Sequence, residues 1–534
     1  MKIIDYIINI CKKVCVLVWE QLPLYATLLF LQATSIFVIY YLSGLLGAGL
    51  FLGAIAWSYI QILPLLFLSV KASKFYIAII IAINYLLSTF QLFCAIKFEE
   101  LVYSTHIQLL VNTNREEASE FLSTFVDFKS ILIIVALLIA SALIFKLMLL
   151  VKKKSVLKIF TYPLTAISIF SLITTTYFGI WSDCGIGRSV YSIFSLKDYK
   201  SYDLITTQAD FIVYETTSSH PNIILIVGES FDRNHSSLYG YSKDTNPRLY
   251  KRATDSTLVV FTSVQSSAPI TNLSFRQMFS LSEHLEDNMW HEKAMLPTAL
   301  NKGGYYSQWI SNQTANSVFD NVLGQIANLY DKRIYTSNEY MAGKSRYDEV
   351  ILEPFKHYIN KSQHIDKIFC TVHLMGSHAN YYLRYPDNYS KFHNEDYLDQ
   401  PEHRRSTFAT YDNSIFYNDF IVDSIMSICD NIDALVIYLA DHGQDFYYTR
   451  DMAIHGRIGD PESFRMGCQI PFMIYLTDKY RQKHPDMIEI LSKYKDNAFE
   501  TKYLMNTILD IAGYDIIGDC THENSLFKGQ FNSF

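Results

Sequence analysis

NIILIVGES (residues 222–230), KIFCTVHLMGSH (367–378) and ALVIYLADHG (434–443) share one pattern: an unbroken apolar run of strand length that ends on polar side chains able to bind a ligand. A half-exposed strand alternates apolar and polar residues, so a continuous run reads as a strand covered on both faces, as in a parallel sheet. The predicted strands are Asn222 to Val227, Lys367 to Val372 and Ala434 to Leu439, joined by Thr257 to Phe261, Tyr305 to Ile310 and Pro471 to Leu476. Longer helix-forming segments lie between them, which predicts an α/β domain with a mainly parallel central sheet. Ligands of such sheets bind beyond the carboxyl ends of the strands. Glu229, His373, His378, Asp441 and His442 fall there, and His455 follows in AIHG. A single histidine after a strand is commonly a hydrogen-bonded structural residue. Adjacent Asp441 and His442, with four more candidates nearby, form instead the mixed oxygen and imidazole set that zinc takes.

Upstream the composition changes. Residues 1–181 are dominated by Leu, Ile, Phe, Ala and Tyr. A bilayer core about 30 Å thick needs roughly 20 apolar residues of helix. Five stretches meet this: Leu22 to Leu42, Gly49 to Ser69, Phe75 to Ile96, Ser130 to Val151 and Ile159 to Ile180. Lys2, Lys12 and Lys13, then Lys71 and Lys74, then Lys152 to Lys158 mark the cytoplasmic side, where basic residues are retained. An odd number of spans carries everything after Ile180 outside, so the expected arrangement is a five-helix transmembrane domain over 1–181, a connector over 182–220 and a catalytic domain over 221–534. In a Gram-negative cell that means an inner-membrane protein with a periplasmic enzyme domain. No ionisable residue falls in the middle of a span, which favours an anchor over a transporter.

The net charge is −7 over 534 residues, and basic residues form no run beyond Lys152, Lys153 and Lys154. Nucleic acid is therefore not an expected partner. The eight cysteines include no CxxC pair, which excludes a zinc ribbon and a dense disulfide framework.

Six blocks carry a family resemblance: VGESFDRNHSSLYGYSKDTNPRL from Val227, TNLSFRQMFS from Thr271, HLMGSHANYYLRYP from His373, YDNSIFYNDF from Tyr411, ADHGQD from Ala440 and IPFMIYL from Ile470. In this order the chain resembles the phosphoethanolamine transferases of the alkaline phosphatase and sulfatase superfamily. The resemblance implies a sulfatase-like fold and a metal site of Glu229, Thr271, Asp441 and His442. Zinc is its usual occupant, ahead of Mn2+ or Mg2+. Thr271 matches the family nucleophile. His378 and His455 match a pair that holds a second zinc or the transferred phosphate, and His373 matches a substrate-site histidine. NTNREEASEF (112–121) is similar to the segment that touches the ethanolamine head group, through Thr113 and Glu117, although Leu109 departs from that pattern. The implied reaction takes phosphoethanolamine from phosphatidylethanolamine, through phospho-threonine, to lipid A, lipopolysaccharide core or another glycan, with polymyxin resistance as the associated trait and a monomer as the working unit. Independently of family, a hydroxyl is a weak nucleophile at neutral pH, and a divalent cation offsets this by favouring the alkoxide.

No cysteine lies near Thr271, where lipid A enzymes of this kind carry disulfides; Ser267 and Gln277 stand there. SAPIT (267–271) echoes the sulfatase signature but has Thr271 in place of its arginine. A sulfatase-type hydrolase, a phosphoglycerol transferase resembling lipoteichoic acid synthases, and a non-enzymatic envelope scaffold are the alternatives. Ser230, next to Glu229, is a second hydroxyl near the expected site.

Overall fold

The computed structural model describes residues 2–43, 48–97, 126–178, 210–282, 290–313, 322–336, 347–518 and 521–527, with a few isolated positions between them. Thr113 and Glu117 lie outside the described residues. The chain separates into a helical unit within residues 1–201 and an α/β unit over 202–534.

The helical unit contains α1 (Lys2–Glu20), α2 (Leu22–Ser43), α3 (Ala48–Ile62), α4 (Val70–Lys97), α5 (Phe128–Lys152) and α6 (Thr161–Tyr177). Among the described residues three helical stretches, Val70–Lys97, Phe128–Lys152 and Leu157–Tyr177, are long and apolar enough to cross a membrane. Lys12–Glu20 and Leu22–Thr34, bent by 74°, make a fourth if taken as one span. The expected stretch Gly49 to Ser69 is interrupted: α3 has 15 residues and passes into a tighter 3₁₀ turn at Leu63–Leu66, which holds Pro64. Proline lacks the N–H that would continue the α-helical ladder, and α3 alone reaches only about 22 Å. The helix α1 was not anticipated, because Lys2, Asp5, Asn9, Lys12 and Lys13 interrupt its apolar run at helical spacing. Polar side chains join helices within this unit. Gln32 Nε2 donates to Ser58 Oγ at 3.1 Å, Asn84 Nδ2 to Gln61 Oε1 at 2.6 Å, and the Tyr25 and Ser168 hydroxyls lie 2.9 Å apart. Such bonds hold helices together where apolar packing gives little preference for protein over lipid.

In the α/β unit the main sheet has β1 (Asn222–Gly228), β2 (Leu258–Phe261), β3 (Tyr306–Ser311), β4 (Lys332–Tyr335), β5 (Ile368–His373), β6 (Ala434–Ala440) and β7 (Phe472–Leu476), in spatial order β2-β7-β6-β1-β5-β3-β4. The pairings from β6 through β1, β5 and β3 to β4 are parallel. Those of β7 with β6 and with β2 are antiparallel, so the sheet is mixed. The six anticipated strands occur within a residue of their expected limits. β4 escaped because it is a short edge strand of sequence KRIY with Lys332 and Arg333 exposed, a composition that protects edges and hides them from an apolar search.

Register positions the site. Val227 pairs with both His373 and Leu439, and Gly228 pairs with Ala440. The central strands therefore end level with one another, and the residues beyond them emerge side by side. Ser311 pairs with His373, which brings the end of β3 to the same edge. Two helices complete the frame: α7 (Thr271–Phe279), and α8 (Glu402–Cys429), whose inner face buries Tyr411, Tyr417 and Ile421.

Candidate active site

Glu229 lies just past β1, Asp441 and His442 just past β6, and Thr271 is the first residue of α7. One carboxylate oxygen each from Glu229 and Asp441 and one ring nitrogen of His442 lie within 4.8 Å of one another. Thr271 Oγ1 stands 3.3 Å from His442 Nε2 and 3.5 Å from each carboxylate oxygen of Glu229. His442 Nε2 is 3.3 Å from Glu229 Oε1 and 3.5 Å from Asp441 Oδ2. All three ligand candidates are buried, while Thr271 is partly exposed.

Local bonding aims these groups. The Nδ1 of His442 lies 2.7 Å from the carbonyl of Gly443 and donates to it, which turns Nε2 toward the carboxylates. Asp441 Oδ1 accepts from its neighbours' amides, Ser230 N–H at 3.1 Å and His442 N–H at 2.7 Å. Its carbonyl accepts from the hydroxyls of Ser266 and Ser274. Asp441 Oδ2 is buried and has no hydrogen-bond partner. A bare buried carboxylate oxygen is costly, and a cation among these groups would remove that cost. Gly443 is required by packing, since a Cβ there would stand 2.5 Å from the carbonyl oxygen of Gln469.

The electrostatics agree with a cation site. Burial pushes the Asp441 carboxyl up to about 7, and the charge of Glu229 adds to the rise. Burial would raise Glu229 too, but His442 and His378 outweigh it and hold Glu229 well below the usual carboxylate range. Burial disfavours the His442 cation, yet Asp441 and Glu229 overcome this and raise the ring to about 9. Two acids and an imidazole share one proton-hungry cleft, and a divalent ion satisfies all three.

The His455 ring is 4.6 Å from that of His442, edge to face. Burial, aided by the charges of His442 and His378, pushes His455 down to about 3. Nδ1 of both His378 and His455 is buried without a partner, and neither residue belongs to the three-ligand cluster. His373 sits deeper: its Nδ1 is 3.1 Å from Ser311 Oγ, and its ring packs on Phe275 and Trp309. Burial lowers His373 to about 4, against a weaker opposite pull from Glu229.

Several contributors had no signal in the sequence. Gln313, two residues past β3, donates to Glu229 Oε2 at 3.3 Å. Asp348 accepts the amides of Met375 and Gly376 at 2.8 and 2.9 Å and so fixes the loop that carries His378. Their roles depend on which loops the sheet brings together.

The Sulfatase family matches residues 221–514. Phosphoethanolamine transferase EptC of Escherichia coli K12 is 29% identical over 310 residues, covering 57% of this chain and 53% of that protein. EptA of Helicobacter pylori is 30% identical over 282 residues, covering 51% of each. The chain thus spans about half the length of the curated relatives it matches. The crystal structure of the C-terminal periplasmic domain of E. coli EptC in complex with Zn superposes with a TM-score of 0.55 at 26% identity, covering 61% of this chain and 91% of that one. The integral membrane protein EptA from Neisseria meningitidis shares the fold over 96% of this chain and 97% of its own, with a TM-score of 0.63 at 20% identity. With the family matched across every strand of the main sheet and both strand ends that supply the ligand cluster, the chain belongs to the sulfatase family.

Proposed function

We propose that this chain is a zinc-dependent phosphoethanolamine transferase of the bacterial inner membrane, held by five spans with its α/β unit in the periplasm. The donor is phosphatidylethanolamine and the acceptor is lipid A or lipopolysaccharide core. The observation that carries the reading is the Thr271 hydroxyl, set 3.3 Å from His442 Nε2 and 3.5 Å from both Glu229 oxygens. Glu229, Asp441, His442 and Thr271 would hold the zinc, whose chemistry is to make the threonine hydroxyl more acidic and to neutralise charge on phosphate.

Thr271 Oγ1 attacks the phosphorus of the phosphodiester. The Thr271–phosphorus bond forms, the bond to the diacylglycerol oxygen breaks, and diacylglycerol leaves with a proton. The acceptor oxygen then displaces Thr271 from phosphorus and the hydroxyl is regenerated. His455, kept neutral by its depressed pKa, presents one lone-pair nitrogen and one N–H at pH 7. With His378 it suits a second cation or the departing phosphoryl oxygens. Placement at the start of α7 adds backbone N–H groups oriented toward negative charge.

The test is incubation of the full-length protein with phosphatidylethanolamine, then peptide mass spectrometry. One phosphoethanolamine on the Thr271 peptide, absent in Thr271→Ala, is the expected result. Lipid A and core oligosaccharide from cells with and without the protein, weighed the same way, identify the acceptor. An unmodified Thr271 peptide alongside normal turnover would refute the covalent route.

A further inference from the structure

Ser230 spends every polar group it has on the two carboxylates and on the turn between them. Its hydroxyl donates to Glu229 Oε1 at 2.7 Å and its amide donates to Asp441 Oδ1 at 3.1 Å. Its carbonyl accepts from the Tyr411 hydroxyl at 2.8 Å, and that hydroxyl accepts in turn from the Asp232 amide at 2.8 Å. The backbone of Ser230 has φ of +56°, a left-handed conformation that L residues other than Asn and Asp rarely adopt. An extended continuation of β1 would send the side chain and the amide in different directions along the sheet. The left-handed turn aims both into the cleft. Tyr411 braces that turn from α8, and its own ring is fixed by stacking on Phe446 at 4.5 Å and edge contact with Tyr381 at 4.7 Å.

We propose that Ser230 is the positioning residue of the metal site: its side chain and its amide each hold an oxygen of one acidic ligand and so fix how both carboxylates are turned toward the cation. The inference rests on the reading of Glu229, Asp441 and His442 as metal ligands. It also separates the two hydroxyls next to Glu229. Ser230 is fully buried with its proton committed to Glu229, whereas Thr271 is partly open. The strained turn is explained as well, because rare backbone conformations persist where surrounding contacts hold them and cluster at functional sites.

Removing the hydroxyl alone distinguishes a residue that orients ligands from one that only shapes a turn. Ser230→Gly keeps the amide and relaxes the positive φ, so it deletes the bond to Glu229 without adding strain. The full-length protein in detergent is stripped with chelator, titrated with zinc against a chromogenic competitor, and loaded separately with Co2+ for its visible spectrum. The wild type should take zinc tightly. Ser230→Gly should bind it roughly 10- to 100-fold more weakly, the usual effect of removing a partner of a metal ligand, and its Co2+ bands should shift as the ligand geometry changes. Tyr411→Phe, which leaves the Ser230 hydroxyl in place but frees the turn, should give a smaller loss in the same direction, and it serves alone if the glycine variant does not fold. Wild-type affinity and an unaltered Co2+ spectrum in the folded variants would overturn the role of Ser230 while leaving the metal site standing. A wild type that retains no zinc would instead overturn the metal reading, and this inference with it.

Discussion

Thr271 touches each neighbour at more than 3 Å, spacing that a bridging ion would close. Loss of its hydroxyl should remove the reacting atom and little else, since the side chain is partly exposed and caps nothing. Thr271→Ala is expected to lower turnover by roughly 10³-fold or more with an unchanged melting temperature, measured as lipid transfer by the detergent-solubilised protein, while zinc, keeping Glu229, Asp441 and His442, is held more weakly. Asp441→Asn makes the complementary case. Oδ1 keeps amide contacts but the ligand charge is gone, so elemental analysis should find zinc largely absent from the purified variant. Glu229, Asp441, His442 and Thr271 could be picked from the sequence because strand-end position or family motif coincides with residue type in them. Gln313 and Asp348 could not, since glutamine and aspartate in loops are common and only the meeting of chain segments gives them work.

At the level of elements, the short helix Pro247–Thr254 shows how the blocks around the site support one another. Its own Asn246 makes no side-chain cap, and the first-turn N–H groups of Arg248 and Leu249 donate instead to the buried carboxylate of Asp419 on α8, each at 3.0 Å. TNPRL and YDNSIFYNDF, far apart in sequence, are thus one structural joint. Asp419→Ala should destabilise the α/β unit by about 1–3 kcal/mol, the cost of stranding buried donors, read as a lower midpoint in chemical denaturation of the full-length protein. The strands were legible because each carries its own apolar run. The edge strand β4 and the helix α1 were not, for the opposite reason: polar residues break the run in both.

For the whole molecule, stability should depend on pH through a buried pair outside the ligand cluster. His235 Nδ1 lies 2.6 Å from Asp412 Oδ1, and Asp412 Oδ2 also accepts the Tyr241 hydroxyl at 2.8 Å. Burial opposes charge on the ring, yet Asp412 outweighs it and raises His235 above its ordinary 6.5. Between 6.5 and the raised value the folded chain binds more protons than the unfolded one, so this contribution is complete below 6.5 and is lost as pH climbs through the folded value. Denaturation midpoints should therefore fall from pH 6.5 upward through this pair, and Asp412→Asn should flatten that slope; parallel slopes in both proteins would exclude the pair as the cause. The division into an apolar helical half and an α/β half, the central strands, and the residue types at their ends are legible in the chain read alone, because these are local matters of hydropathy, period and spacing. The reversed direction of β7, the level ending of β1, β5 and β6, and the bonds from Ser230 to Asp441 and from Gln313 to Glu229 emerge only in the folded chain. Strand direction and the meeting of loops are set by packing between segments distant in the chain, and no short window of sequence contains both partners.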